Sequence, residues 1–158
     1  MQVKGITDED FVNYKCPSMY ICTNTCDFKC DRENGRRCCQ NSAIAQMDSI
    51  CVADEAIIQR YLKNTITHAI VFAGLEPFEQ FDEVFNLISK LRNDYHCNDT
   101  VVIYTGFERA EICTQVEALR MFRNIVIKYG RFVPDQEKHY DEVLGVYLAS
   151  PNQYAEEI

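Results

Sequence analysis

No run of apolar residues in this 158-residue sequence approaches the roughly 18 needed to cross a bilayer, so a helical membrane protein is excluded. Positive charge is scarce too. Sixteen Lys and Arg stand against 24 Asp and Glu, a formal net charge of −8. Phosphate binding wants clustered basic residues, so no nucleic acid is expected as a partner. The short basic patch Arg36-Arg37 is too small to reverse that and reads as two solvated arginines. Internal repeats, low-complexity tracts and Gly/Ser linkers are missing, as are a phosphate-binding loop and a Ser/His/Asp pattern. The three histidines, His68, His96 and His139, share no ligand spacing and read as surface or satisfied side chains. Met1 to Asp10 has no basic stretch leading into an apolar one, which predicts no secretory signal and a cytoplasmic protein.

Cysteine, by contrast, is abundant. Six of the nine fall at Cys16, Cys22, Cys26, Cys30, Cys38 and Cys39. An odd total, clustering in one segment and a reducing compartment all disfavour a disulfide framework and favour a bound metal. Cys51, Cys97 and Cys113 are scattered and are expected to pack as small buried hydrophobes.

One domain over 1–158 is expected, long enough to bury a core. It divides into a Cys-rich cluster loop at about 16–41 and a regular α/β body at about 53–150. Ser18 to Cys22 reads as a short strand entering the loop, and Asn34-Gly35 as a turn within it. Ala53 to Lys63 reads as a helix with Ile57, Ile58, Tyr61 and Leu62 on one face. Thr67 to Phe72 is a buried strand, and Pro77 opens a helix running to about Arg92. Phe81, Val84, Phe85, Ile88 and Leu91 are its apolar face, with Asp82-Glu83 solvated. Thr100 to Thr105 is a strand, Glu108 to Phe122 a helix and Asn124 to Lys128 a strand; a last extended segment lies near Val143 to Leu148. Asp141-Glu142 reads as a solvated loop, with a substrate or partner surface as the less favoured reading.

Strands alternating with amphipathic helices predict a parallel sheet with crossover helices. The chain is too short for eight such units, so an open, partial (β/α) barrel of about five mostly parallel strands is expected. In such sheets ligands sit at the carboxyl ends of the strands. The Cys loop, the Gly74–Glu76 turn and the Thr105–Gly106 turn should therefore converge on one face.

Cys26-x3-Cys30-x8-Cys39 fits several metals on spacing alone. Structural zinc wants four ligands, which Cys22, Cys26, Cys30 and Cys38 or Cys39 offer. An iron–sulfur cluster is equally thiolate-ligated, and spacing does not choose between them.

The Cys region, the strand and turn Ile70-Val71-Phe72-Ala73-Gly74-Leu75-Glu76-Pro77, and the strand end Ile103-Tyr104-Thr105-Gly106 together resemble the radical S-adenosylmethionine (SAM) superfamily. The likeness extends to the activating proteins of anaerobic ribonucleotide reductases, a group of glycyl-radical enzyme activases. Cys26-Asp27-Phe28-Lys29-Cys30 and Cys39-Gln40-Asn41 are similar to that group's CxxxC pair and Cys-x-Asn element. Ala73-Gly74-Leu75-Glu76-Pro77 resembles its Gly-Gly-Glu-Pro turn with one residue inserted and alanine for the first glycine. Gly130-Arg131-Phe132 and Ser150-Pro151-Asn152-Gln153 resemble its Gly-x-Phe and Ser-x-Asn-Gln elements, so the order holds from about residue 16 to 155. Eight residues separate the second and third cysteines here, where the family has two. That leaves Cys38 open as an alternative to Cys39, and Cys22 as an alternative first ligand; Cys39 is preferred because Gln40-Asn41 follows it.

The resemblance implies a [4Fe–4S] cluster on Cys26, Cys30 and Cys39, with SAM on the iron they leave free. Its reductive cleavage would give a 5′-deoxyadenosyl radical. Gly74 and Glu76 would hold the methionine part, Tyr104, Thr105 and Gly106 would lie beside the nucleoside, and Asn152 would shape the pocket. The implied partners are a glycyl-radical enzyme as protein substrate and a flavodoxin-like reductant. Two alternatives stand beside this reading: a radical SAM enzyme acting on a small molecule or peptide, and a non-enzymatic zinc-binding interaction module.

Overall fold

A computed structural model describes all residues, Met1–Ile158. Four strands form the parallel heart of the sheet, in the order they occur in the chain: β2 (Ser18–Thr23), β4 (Ala69–Ala73), β5 (Thr100–Tyr104) and β6 (Ile125–Tyr129). Every residue of β4 and β6 is buried, as expected of parallel strands covered on both faces. The pairings Cys22 with Ala73, Phe72 with Ile103 and Tyr104 with Lys128 bring the carboxyl ends level along one edge.

The expected five mostly parallel strands are thus four, within a mixed sheet of seven. β1 (Gln2–Asp10) adds antiparallel to β2, and the short β3 (Ile50–Cys51) pairs with β1. On the far side β9 (Tyr154–Glu157) adds antiparallel to β6. The sheet order β3-β1-β2-β4-β5-β6-β9 leaves two edges, so the sheet is open and no pairing closes a barrel. A separate hairpin of β7 (His139–Asp141) and β8 (Val146–Leu148) occupies the stretch expected to be extended near Val143 to Leu148.

The helices cover one face of the sheet. α2 (Asp54–Lys63) buries Ile57, Ile58 and Tyr61, while α3 (Phe81–Asn93) buries Val84, Leu87, Ile88 and Leu91. Each such side chain contributes about 1.5–3 kcal/mol on leaving water. α4 (Cys113–Leu119) adds Val116 and Leu119. All of these join one apolar cluster with Ile21, Ile70, Phe72, Ile103 and Ile127. The other face carries a smaller cluster of Tyr14, Ala69, Val71, Ala73, Val102, Val126, Leu144 and Leu148, covered by the β1–β2 loop and the hairpin. That thin cover leaves room for a cleft.

Several expectations need correction. Leu62 is exposed, lying off the face set by Ile58 and Tyr61. The helix expected from Glu108 is a turn of 3-10 helix, Arg109–Glu111, broken at Ile112 before α4. Cys51 and Cys113 are exposed and Cys97 half-buried, because Cys51 sits on the edge strand β3 and Cys113 opens a helix. Asp141 is buried, accepting from the Leu144 and Ala155 backbone N–H groups, so it braces the hairpin against β9. His68 and His96 are exposed as expected. No helix is long and apolar enough to cross a membrane.

Candidate metal centre

The segment after β2 cannot continue as a strand. Phe28 turns into the left-handed region at φ 54°, and a single short helix, α1 (Lys29–Glu33), follows. Phe28 N–H donates to the Cys26 sulfur at 3.3 Å, and Asn34 Nδ2 donates to the Cys30 carbonyl at 2.8 Å. Asp31 then gathers the far end of the loop: its Oδ1 accepts the backbone N–H groups of both Cys38 and Cys39 at 2.8 Å. One carboxylate therefore returns the third cysteine to the first two across the eight residues that separate Cys30 from Cys39. Those bonds, the Cys38 N–H first, hold the Asp31 carboxyl below its ordinary range.

The loop is also tied to the sheet. Asn41 Nδ2 donates to the Gly74 carbonyl at 2.6 Å, and the N–H groups of Asn24 and Asp27 donate to Gln80 and Glu79. At its other flank Lys29 pairs with Glu111, whose carboxylate receives Arg131 Nη2 at 2.7 Å. Arg131 holds the Glu111 carboxyl down at about 2.

These ties place Cys26, Cys30 and Cys39 on the wall of one cleft of about 330 Å³. Three strand ends add to the lining: Gly74 and Glu76 after β4, Tyr104 to Gly106 at the end of β5, and Lys128 and Gly130 at the end of β6. Convergence of the strand-end turns is thus observed. Cys38 points elsewhere, and Cys22 is buried beneath Gly74 rather than in the cleft. Asn152 is exposed and donates from Nδ2 to the Arg131 carbonyl; its neighbour Gln153 lines the cleft instead. Of the named residues, all but Asn152 reach the cleft.

Glu76 is 6% exposed and locks two turns together. Oε1 accepts from Phe78 N–H at 3.1 Å and Thr105 Oγ1 at 2.7 Å, and Oε2 accepts from Gly106 N–H at 2.9 Å. Burial pushes its pKa from 4.5 up to about 7, against those bonds; Glu79 adds to the rise. The native state then keeps a proton between about pH 4.5 and 7 that the unfolded chain has released. Stability from this group is full below 4.5 and is lost as pH rises through 7. Glu76→Gln, beside Lys128 and Glu79, is expected to flatten that fall, read as urea midpoints between pH 5 and 8. An unchanged slope would refute the assignment.

Among the cleft residues that the sequence does not single out, Lys128 and Phe132 stand out. Lys128 is the penultimate residue of the otherwise apolar strand β6, and its Nζ donates to the carbonyls of Gly130 at 2.8 Å and Thr105 at 3.4 Å. Burial lowers its pKa to about 8. A charged residue near the carboxyl end of an otherwise apolar parallel strand was the available signal. Phe132 was named only as part of a motif, yet it lines the cleft near the cluster loop.

The donor set suits iron and sulfide. Three thiols share one wall, and burial pushes those of Cys26 and Cys30 up to about 12, so only a metal would hold them as thiolates. No carboxylate or imidazole completes the set within the cleft except the occupied Glu76. Fold and donors together define a thiolate-ligated metalloprotein. Residues 17–152 match the 4Fe–4S single cluster domain, and the chain belongs to that family, which occurs in radical SAM-type proteins. It is an iron–sulfur protein. No curated protein and no solved structure is significantly similar to it.

Proposed function

We propose that the chain is a radical SAM enzyme of the activating-protein type. The observation that carries this reading is the cleft, in which three cysteines and three strand-end turns face one another. Three thiolates leave one iron of a cubane without a protein ligand, and catalytic metal sites keep such a position open. When bound, the cluster supplies an electron that cleaves SAM to methionine and a 5′-deoxyadenosyl radical.

The chain's own residues position and enclose. Cys26, Cys30 and Cys39 hold the cluster, with Asp31 fixing the third and Asn41 joining the loop to the Gly74 turn. Gly74, at φ +84°, brings backbone close to the methionine part, and Glu76 beneath it fixes the turn's angle to the Thr105–Gly106 turn. Lys128 is the one cation lining the cleft, and two of its three N–H donors are taken by carbonyls. The third suits the SAM carboxylate. Tyr104 and Thr105 flank the nucleoside, with the Tyr104 hydroxyl donating to the Asn13 carbonyl at 2.5 Å.

The cleft mouth is bordered by exposed Val12 and Tyr147. A partner protein closing that mouth fits this better than a small molecule. A glycyl-radical enzyme is therefore the proposed substrate, a flavodoxin-like protein the proposed reductant.

Chromatography after anaerobic reconstitution, dithionite reduction and SAM addition tests the reaction. Release of 5′-deoxyadenosine is expected; a loaded cluster that never yields it defeats the proposal. Lys128→Met is expected to weaken SAM binding about 10–100-fold, the worth of a hydrogen bond to a charged group, while the cluster still assembles. Unchanged affinity in equilibrium dialysis would remove Lys128 from the site.

A further inference from the structure

A second group of metal-ligand donors lies in the same loop, apart from the three cleft cysteines taken as a set. The sulfurs of Cys30 and Cys38 and a carboxylate oxygen of Asp31 lie within 4.8 Å of one another. A tetrahedral zinc with bonds of about 2.3 Å holds its sulfurs roughly 3.8 Å apart, so small side-chain rotations bring this group onto one ion. The backbone is already set for it. Asp31 Oδ1 holds the Cys38 N–H at 2.8 Å, and the Cys38 thiol faces the Cys30 carbonyl at 3.7 Å. Cys38 does not line the cleft, so the cluster assignment leaves it without a task. The other such group, Cys26 with Asp27 and Glu79, has a single thiol and two exposed carboxylates.

We infer that Cys30, Cys38 and Asp31 form a mononuclear site for a thiophilic divalent cation, which shares Cys30 with the cluster and excludes it when filled. Binding forms two metal–sulfur bonds and one metal–oxygen bond, and releases the two thiol protons to solvent; water takes the fourth position. No electron is transferred. The cation site stands without the cluster reading, and only the mutual exclusion rests on it.

The test uses the full chain, stripped of metal and kept reduced, titrated with Zn(II) against a chromophoric chelator. Wild type and Cys26→Ser are expected to bind one zinc with equal affinity. Cys38→Ser is expected to lose at least about 100-fold, beyond what an outer partner's loss costs. Co(II) in place of zinc reports two thiolates through its sulfur charge-transfer band, and Cys38→Ser reduces that to one. Cluster assembly follows the opposite pattern: Cys38→Ser reconstitutes with iron and sulfide, and Cys26→Ser does not. Pre-loaded zinc slows reconstitution of wild type but not of Cys38→Ser. Equal zinc affinity in wild type and Cys38→Ser, or equal loss in Cys26→Ser and Cys38→Ser, overturns the site. Loss of the cluster in Cys38→Ser, with wild-type zinc affinity kept in Cys26→Ser, would instead strike the cluster's ligand assignment and the mutual exclusion.

Discussion

Cys39→Ala is expected to abolish the brown chromophore after anaerobic reconstitution, taking bound iron from about four per chain to near zero, while Cys38→Ala retains both. The two cysteines are adjacent, and their N–H groups share one acceptor, Asp31 Oδ1. Their side chains part company, however. Cys39 faces the cleft with Cys26 and Cys30, whereas Cys38 turns back toward the Cys30 carbonyl. The cubane needs thiolates on one wall, so the loss should be all-or-none at position 39. Iron analysis and visible absorbance on the two variants decide it, and the reverse pattern would reassign the third ligand.

Gly74→Ala is expected to cost about 2–5 kcal/mol, summing a left-handed backbone penalty with overpacking. A methyl group there would lie 2.2 Å from the Cys22 sulfur and 3.3 Å from its Cα, at a residue with φ +84°. Neither neighbour has room to yield, because Cys22 is buried in β2 and paired with Ala73. The displaced turn would also pull the Gly74 carbonyl from Asn41, loosening the loop that carries Cys39. Adding Cys22→Ala removes the sulfur but not the backbone strain, so the double variant should recover part of the loss. A double-mutant cycle by urea denaturation measures the coupling. If Gly74→Ala is as stable as wild type, the turn geometry is not as described.

The sequence made the apolar strands and the site's outline legible for the same reason. Parallel strands such as Ala69–Ala73 are buried on both faces and read as continuous apolar runs, and their ends lie where ligands gather. Placing the Cys loop, Gly74 to Glu76 and Tyr104 to Gly106 at those ends was enough to bring them together. The edges of the sheet were illegible. β1, covered by the edge strand β3 only at Gln2 and Val3, carries Lys4, Asp8, Glu9 and Asp10 among nine residues, and the edge strand β9 is Tyr-Ala-Glu-Glu, because strands open to water along one side need little apolar content. The parallel count was therefore one too high, and three antiparallel strands of the sheet were missed. Lys128 hid in an apolar strand whose last turn of the pleat it occupies. The resemblance gives Glu76 the methionine part to hold; its hydrogen bonds with Phe78, Thr105 and Gly106 come from residues up to 30 positions away, which no local pattern displays.

The most direct test of an open cluster site is the electron paramagnetic resonance spectrum of the reduced, reconstituted protein, recorded with and without SAM. An iron without a protein ligand predicts a clear change in the g-values on SAM addition, absent in Cys39→Ala for want of a cluster. A reduced [4Fe–4S] signal in wild type that SAM leaves unaltered would contradict the account, since it would mean that no iron is open to SAM.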